Sequence, residues 1–144
     1  CATEFTFYPT QIMASLKTSD SLSKNESYFF AELKKLKSII DRLNNNETLF
    51  ILLDEILKGT NSNDKLKGSE GFVEKVIYHK ANGIIATHDI KLGELEKKYS
   101  DYIHNYHFAS KIQDNTLMFD YKLKERIVSE FNATYLMREM GIIN

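Results

Sequence analysis

Apolar and polar positions change their period several times along the chain. Residues 3–8 alternate, with Phe5 and Phe7 between polar neighbours, and stop at Pro9, the only proline. This predicts a short strand. Residues 10–26 are rich in Ser, Thr, Lys, Asp and Asn and read as a loop. From Ser27 to about Asn44 the period becomes helical, with Phe29, Leu33, Leu36, Ile40 and Leu43 on one face. The run SKNE at 23–26 has the form of a capping box ahead of that helix, and NNNE at 44–47 ends it.

A continuous apolar run follows, LFILL at 49–53. Such a strand asks for cover on both faces, which favours a central parallel strand. Asn63 or Asp64 is expected to cap a second helix running to about Lys80, with Leu66, Val73, Val76 and Ile77 inward. The pair NG at 82–83 reads as its stop, and IIAT at 84–87 as a second short apolar strand. Strand, helix and strand at this spacing make a βαβ unit with a right-handed crossover.

The last third alternates again, over 102–109 and 116–123 with QDN between, and predicts an antiparallel hairpin. A helix from about Val128 to Met140, closed by Gly141, ends the chain. These elements predict an α/β fold in three layers with a mixed sheet, as one domain over 1–144.

Composition narrows the function classes. The length of 144 residues suits one domain with a real core. Nineteen Lys and Arg against 20 Asp and Glu leave a net charge of −1. A nucleic-acid surface would show a basic excess, so DNA contact by this segment itself is not expected. Cys1 is the only cysteine, which excludes an internal disulfide. No apolar run approaches a membrane span and no basic-then-apolar leader opens the chain, so a cytoplasmic protein without membrane contact is expected. The chain opens on Cys1 rather than Met and enters an alternating stretch at once. We therefore expect a piece of a longer protein.

The candidate chemistry lies where LFILL runs into Asp54 and Glu55. Open α/β sheets bind ligands at the carboxyl ends of their strands. His88 follows the neighbouring strand, so two carboxylates and an imidazole are expected at one edge. An Asp there can hold Mg2+ beside phosphate oxygens, and the adjacent Glu can orient or deprotonate a water. An acid pair after an apolar strand also serves as an ordinary helix start or solvated loop, and a lone His as a polar strand end. His79 reads as a surface residue. His104 and His107 are expected on opposite faces of one hairpin strand, which argues against a shared metal site.

The motifs, in order, resemble the C-terminal ATPase domain of the MutS family of DNA mismatch repair proteins, which are ABC-type P-loop ATPases. SYFFAEL at 27–33 resembles the signature helix start, usually Ser-Thr-Phe followed by an acid. LFILLDEILKGTNSND at 49–64 resembles the Walker B strand and D-loop, and IIATHDIKLGEL at 84–95 the switch-histidine strand. NYHF at 105–108 resembles the following strand, and NATYLMREMGII at 132–143 stands where the family has a dimer-interface helix. The resemblance implies a P-loop NTPase-like fold of the ABC type, incomplete at its N-terminus. It implies ATP and Mg2+ as cofactors, with Asp54 the metal-associated acid, Glu55 the base and His88 the switch histidine. Ser27 would reach the opposite subunit's ATP, at a helix start that suits an anion. Gly59, Thr60, Ser62 and Asp64 would form the D-loop against the partner of a homodimer, or a related subunit, and DNA would be bound by other domains.

The chain departs from the family pattern at three positions. Leu57 and Lys58 stand where many members have Gly and Arg, and Asp89 where an aromatic residue is common. No G-x-x-x-x-G-K-[ST] run occurs, so the main cradle for β- and γ-phosphates is missing. Two readings stand: part of an ATP-hydrolysing domain, inactive by itself, or a non-catalytic dimerisation module derived from one.

Overall fold

A computed structural model describes residues 3–15, 28–113, 116–128 and 132–143. The chain forms two compact units, Cys1–Leu92 and Gly93–Asn144.

The first unit is built on a three-stranded sheet in the order β1-β2-β3. Its elements are β1 (Gln11–Ser15), α1 (Tyr28–Asn44), β2 (Leu49–Asp54), α2 (Ser62–Tyr78) and β3 (Asn82–Ala86). All pairing is parallel: Gln11 lies opposite Leu49, and Asp54 opposite Ala86. LFILL is thus the central strand, and β2-α2-β3 is the expected βαβ unit. Burial alternates along β2. Leu49, Ile51 and Leu53 form one core with Leu36, Ile39 and Leu43 of α1 and Phe72 of α2. Phe50, Leu52 and Asp54 lie on the other face, half-buried, where Phe7 meets Phe50 edge-on at 5.2 Å between ring centres.

Several boundaries differ from the sequence reading. The first strand is not 3–8 but Gln11–Ser15, inside the stretch read as a loop. A strand is defined by its ladder, and here the ladder is with β2; Phe7 contributes its ring instead. On α1 the inward face holds Glu32 rather than Leu33, which is 38% exposed. NNNE does end α1: Asn46 adopts the left-handed conformation (φ 59), and Glu47 returns its carboxylate to Arg42 at 2.6 Å. The capping-box run SKNE lies outside the described residues.

Asn61, not Asn63 or Asp64, caps α2, accepting from the Asn63 and Asp64 main-chain N–H groups at 3.1 and 3.0 Å. Nor does NG stop that helix. It ends through His79 and the left-handed Lys80 (φ 53), while Asn82 and Gly83 belong to β3. A Cβ on Gly83 would stand 2.5 Å from the Ile51 carbonyl oxygen, so glycine is required there by the approach of two strands.

The second unit holds α4 (Leu95–Lys98), following the short α3 (Ile90–Gly93) that spans the division, then β4 (Tyr106–Gln113), β5 (Thr116–Glu125) and α5 (Asn132–Glu139). The hairpin is antiparallel as expected, from Tyr106 opposite Glu125 to Gln113 opposite Thr116. It begins at Tyr106 rather than 102, so His104 precedes the strand instead of sharing it with His107. The Asn105 amide fastens its base, donating to the Gly93 carbonyl at 2.7 Å and to Glu96 at 2.8 Å. The last helix is described over Asn132–Glu139, Val128 is not helical, and Gly141 (φ 68) follows the helix. No helix among the described residues is long and apolar enough to cross a membrane.

Candidate functional site

The carboxyl ends of β2 and β3 meet residue by residue. Beyond the last pair, Asp54 with Ala86, the Glu55 N–H donates to the Ala86 carbonyl at 2.8 Å. The chain then turns sharply: Glu55 and Leu57 are both left-handed, with φ 52 and 58. Such a conformation is costly for side-chain-bearing residues and persists only where the surroundings fix it. Three things fix it here. Ile56 and Leu57 are buried in the core. The Glu55 N–H is tied to β3. Glu32 of α1 accepts from the Leu57 and Lys58 main-chain N–H groups at 2.6 and 3.1 Å.

The turn sends the two acids apart. Asp54 stays on the Phe50–Leu52 side of the sheet. Glu55 swings toward β3, where its Oε1 accepts from the His88 main-chain N–H at 2.9 Å, 33 residues away in sequence. Lys65 of α2 approaches the same carboxylate at 3.9 Å. These neighbours hold the Glu55 carboxyl below the usual glutamate value of 4.5. The His88 N–H acts most strongly; burial opposes it, and the positive charges of Lys65, His88 and Lys58 assist it. Glu55 is therefore ionised at neutral pH.

Glu55, Ser62, Asn63, Lys65, His88 and Lys91 line one open cleft of about 460 Å³. The described residues thus bring together Glu55, His88 and Ser62, and leave Asp54 off the lining of this cleft. Gly59 packs on α1, where a Cβ would stand 2.7 Å from that of Phe29. Thr60 follows it in the turn. Asp64 sits in the first turn of α2 and accepts from the Asn61 side-chain amide at 2.6 Å. Ser27 lies outside the described residues. Among these residues no cluster of three or more His, Cys, Asp or Glu side chains can hold a metal ion.

Two participants escaped the sequence reading. Glu32 is the acid of SYFFAEL, matched to the signature helix start but given no role; its i+3 and i+4 relation to Phe29 and Leu36 hinted at an inward place. Lys65 gave no signal beyond its position one turn into α2.

Comparison with known proteins agrees with this architecture. The family model described as MutS domain V matches residues 2–139. The "MutS protein homolog 4" of Mus musculus is 30% identical over 128 residues, which are 85% of this chain and 13% of that protein. The "DNA mismatch repair protein MutS" of Phocaeicola vulgatus is 32% identical over 117 residues, 79% of this chain and 13% of that protein. Its namesake in Finegoldia magna is 38% identical over 94 residues, 65% and 11% respectively. The chain thus spans about an eighth of the length of such relatives. With the motif order, the parallel βαβ unit and a family match over nearly its whole length, this chain belongs to the MutS family.

Proposed function

We propose that this chain is the hydrolytic part of a MutS-type ATPase domain, of three-layer P-loop NTPase architecture, in a protein that serves DNA mismatch repair. The observation that carries the reading is the link from Glu55 to His88, which joins two strand ends at one cleft. Glu55 is ionised, held at two points and exposed to the cleft, so it can accept a proton from a water placed there and keep that water aligned. Its lowered pKa weakens it as a base, which makes orientation of the water its larger contribution. His88 stands at the same edge to meet a terminal phosphate, with Lys65 and Lys91 adding positive charge around the cleft.

In this reading Mg2+ would be held jointly by the protein and the nucleotide. That ion usually takes one or two carboxylates plus substrate phosphates, and Asp54 at the strand end offers one such carboxylate. When bound, Mg2+ would neutralise phosphate charge. The residues fit ATP in part: the chain supplies the acids and the switch histidine, and no G-x-x-x-x-G-K-[ST] loop lies within its 144 residues. In this reading Ser27 reaches the ATP of a second subunit in a dimer, Gly59, Thr60, Ser62 and Asp64 form a loop against that subunit, and DNA is held by other domains.

Two substitutions in the full-length protein test the assignment. Glu55→Gln should retain ATP binding and lose turnover by roughly 10²-fold or more, the usual loss for a positioned base. Asp54→Asn should weaken Mg2+-dependent binding itself. Equal loss of binding in both would remove the division of roles. Absence of ATP turnover in the unsubstituted full-length protein would favour a dimerisation module without hydrolysis.

A further inference from the structure

We propose that Glu32 is a positioning residue that aims Glu55 by clamping the turn after β2; this rests on the reading of Glu55 as the water-orienting acid. Glu32 is 7% exposed, and a carboxylate is costly to bury unless its oxygens are satisfied. Both are: Oε1 accepts from the Leu57 N–H and Oε2 from the Lys58 N–H. The partners are main-chain amides of a segment that contains two left-handed side-chain-bearing residues, Glu55 and Leu57. A local purpose such as helix capping does not explain them, because Glu32 lies inside α1 and its partners are 25 and 26 residues further on.

The clamp acts on Glu55 through covalent geometry. Fixing the Leu57 and Lys58 amides fixes the peptide planes that follow Glu55. The Glu55 N–H is fixed from the other side by Ala86. With both ends of the turn set, its side chain has one direction, toward the His88 N–H. α1 thereby gains a mechanical connection to the carboxylate at the cleft. Gly59, packed on Phe29 one turn earlier along α1, gives the same helix a second hold on the segment.

Glu32→Gln tests this with little change of shape. A carboxamide has one acceptor oxygen, so it can keep one of the two amides and must turn its own N–H2 toward the other. In the 144-residue chain, exchange of the Leu57 or Lys58 amide should rise roughly 10-fold or more, the factor set by loss of one charge-assisted hydrogen bond. The deciding readout is the His88 amide, which Glu32 does not touch. Its protection should fall with that of the turn. A purely local clamp would leave His88 protected, and that result would overturn the proposal.

In the full-length protein, Glu32→Gln should lower kcat by about 10- to 10²-fold with little change in KM for ATP, as expected from a misplaced reacting group. The control Ile39→Val lowers stability in the same core and should leave kcat near normal. Activity lost only in proportion to folded protein would also overturn the proposal. If the full-length protein hydrolyses no ATP at all, the ATPase reading fails, while the His88 exchange experiment still decides whether Glu32 positions Glu55.

Discussion

Glu55 shows how a single carboxylate can be tuned by a main-chain group. Its largest stabilising neighbour is the His88 N–H, and Lys65 adds a charge at 3.9 Å. Both favour the ionised form in the folded state, so the folded pKa lies below that of the unfolded chain. A group of this kind adds stability above its unfolded pKa and loses it as pH falls through the folded value. The stability difference between the wild-type chain and Glu55→Gln should therefore stay constant from neutral pH down to about pH 5 and shrink at lower pH. Urea titrations at a series of pH values measure it; a difference that does not vary with pH would mean Glu55 gains nothing from its neighbours.

Between β2 and α2, backbone cost and side-chain burial oppose each other. Leu57 adopts φ 58 yet is only 5% exposed. The left-handed backbone costs about 1–2 kcal/mol. Removing a buried leucine side chain costs about 2–5 kcal/mol. Burial wins, so Leu57→Gly should destabilise the chain by roughly 1–3 kcal/mol in spite of relieving the backbone. The side chain also fills the space beside Gly68 of α2, where a Cβ would stand 2.5 Å from Leu57 Cδ1. Gly68→Ala alone should thus be neutral to destabilising. In the Leu57→Gly background the same change should stabilise by about 1 kcal/mol, the helix preference of alanine over glycine. Urea midpoints of the four proteins give the coupling, and strict additivity would show that the two residues do not compete for that space.

For the whole molecule, the proposed dimer makes a claim that no single subunit can meet. If Ser27 serves the opposite subunit's nucleotide while Glu55 serves its own, a mixed dimer of Ser27→Ala and Glu55→Gln full-length subunits carries both lesions at one site and none at the other. Mixing should then raise ATPase activity above that of either homodimer. If Ser27 only caps its helix, a role serine fills well, Ser27→Ala should lower stability, leave turnover per site near normal and yield no rescue.

Sequence alone determined the kinds and the order of the longer elements from α1 onward. The apolar run at 49–53, the helical period from Ser27 to about Asn44 and the alternation of the hairpin each follow from local side-chain spacing; the fold kept these element types but moved the hairpin's first strand from 102–109 to Tyr106–Gln113. That Glu55 and His88 lie near adjoining strand ends was legible for the same reason, since a parallel pairing aligns those ends; that Asp54 stays off the cleft was not. What the tertiary structure decided is what depends on contacts distant in sequence. Gln11–Ser15 became a strand because β2 offered a ladder, not because of its own pattern. Glu32 could face the core because amide N–H groups 25 and 26 residues away donate to its carboxylate. Gly83 was needed where the backbone of Ile51 comes close, and so belongs to a strand rather than a helix end. Glu55 points to His88 because a turn with two left-handed residues is held from both sides. No local period encodes these choices, since each depends on which groups the fold brings together.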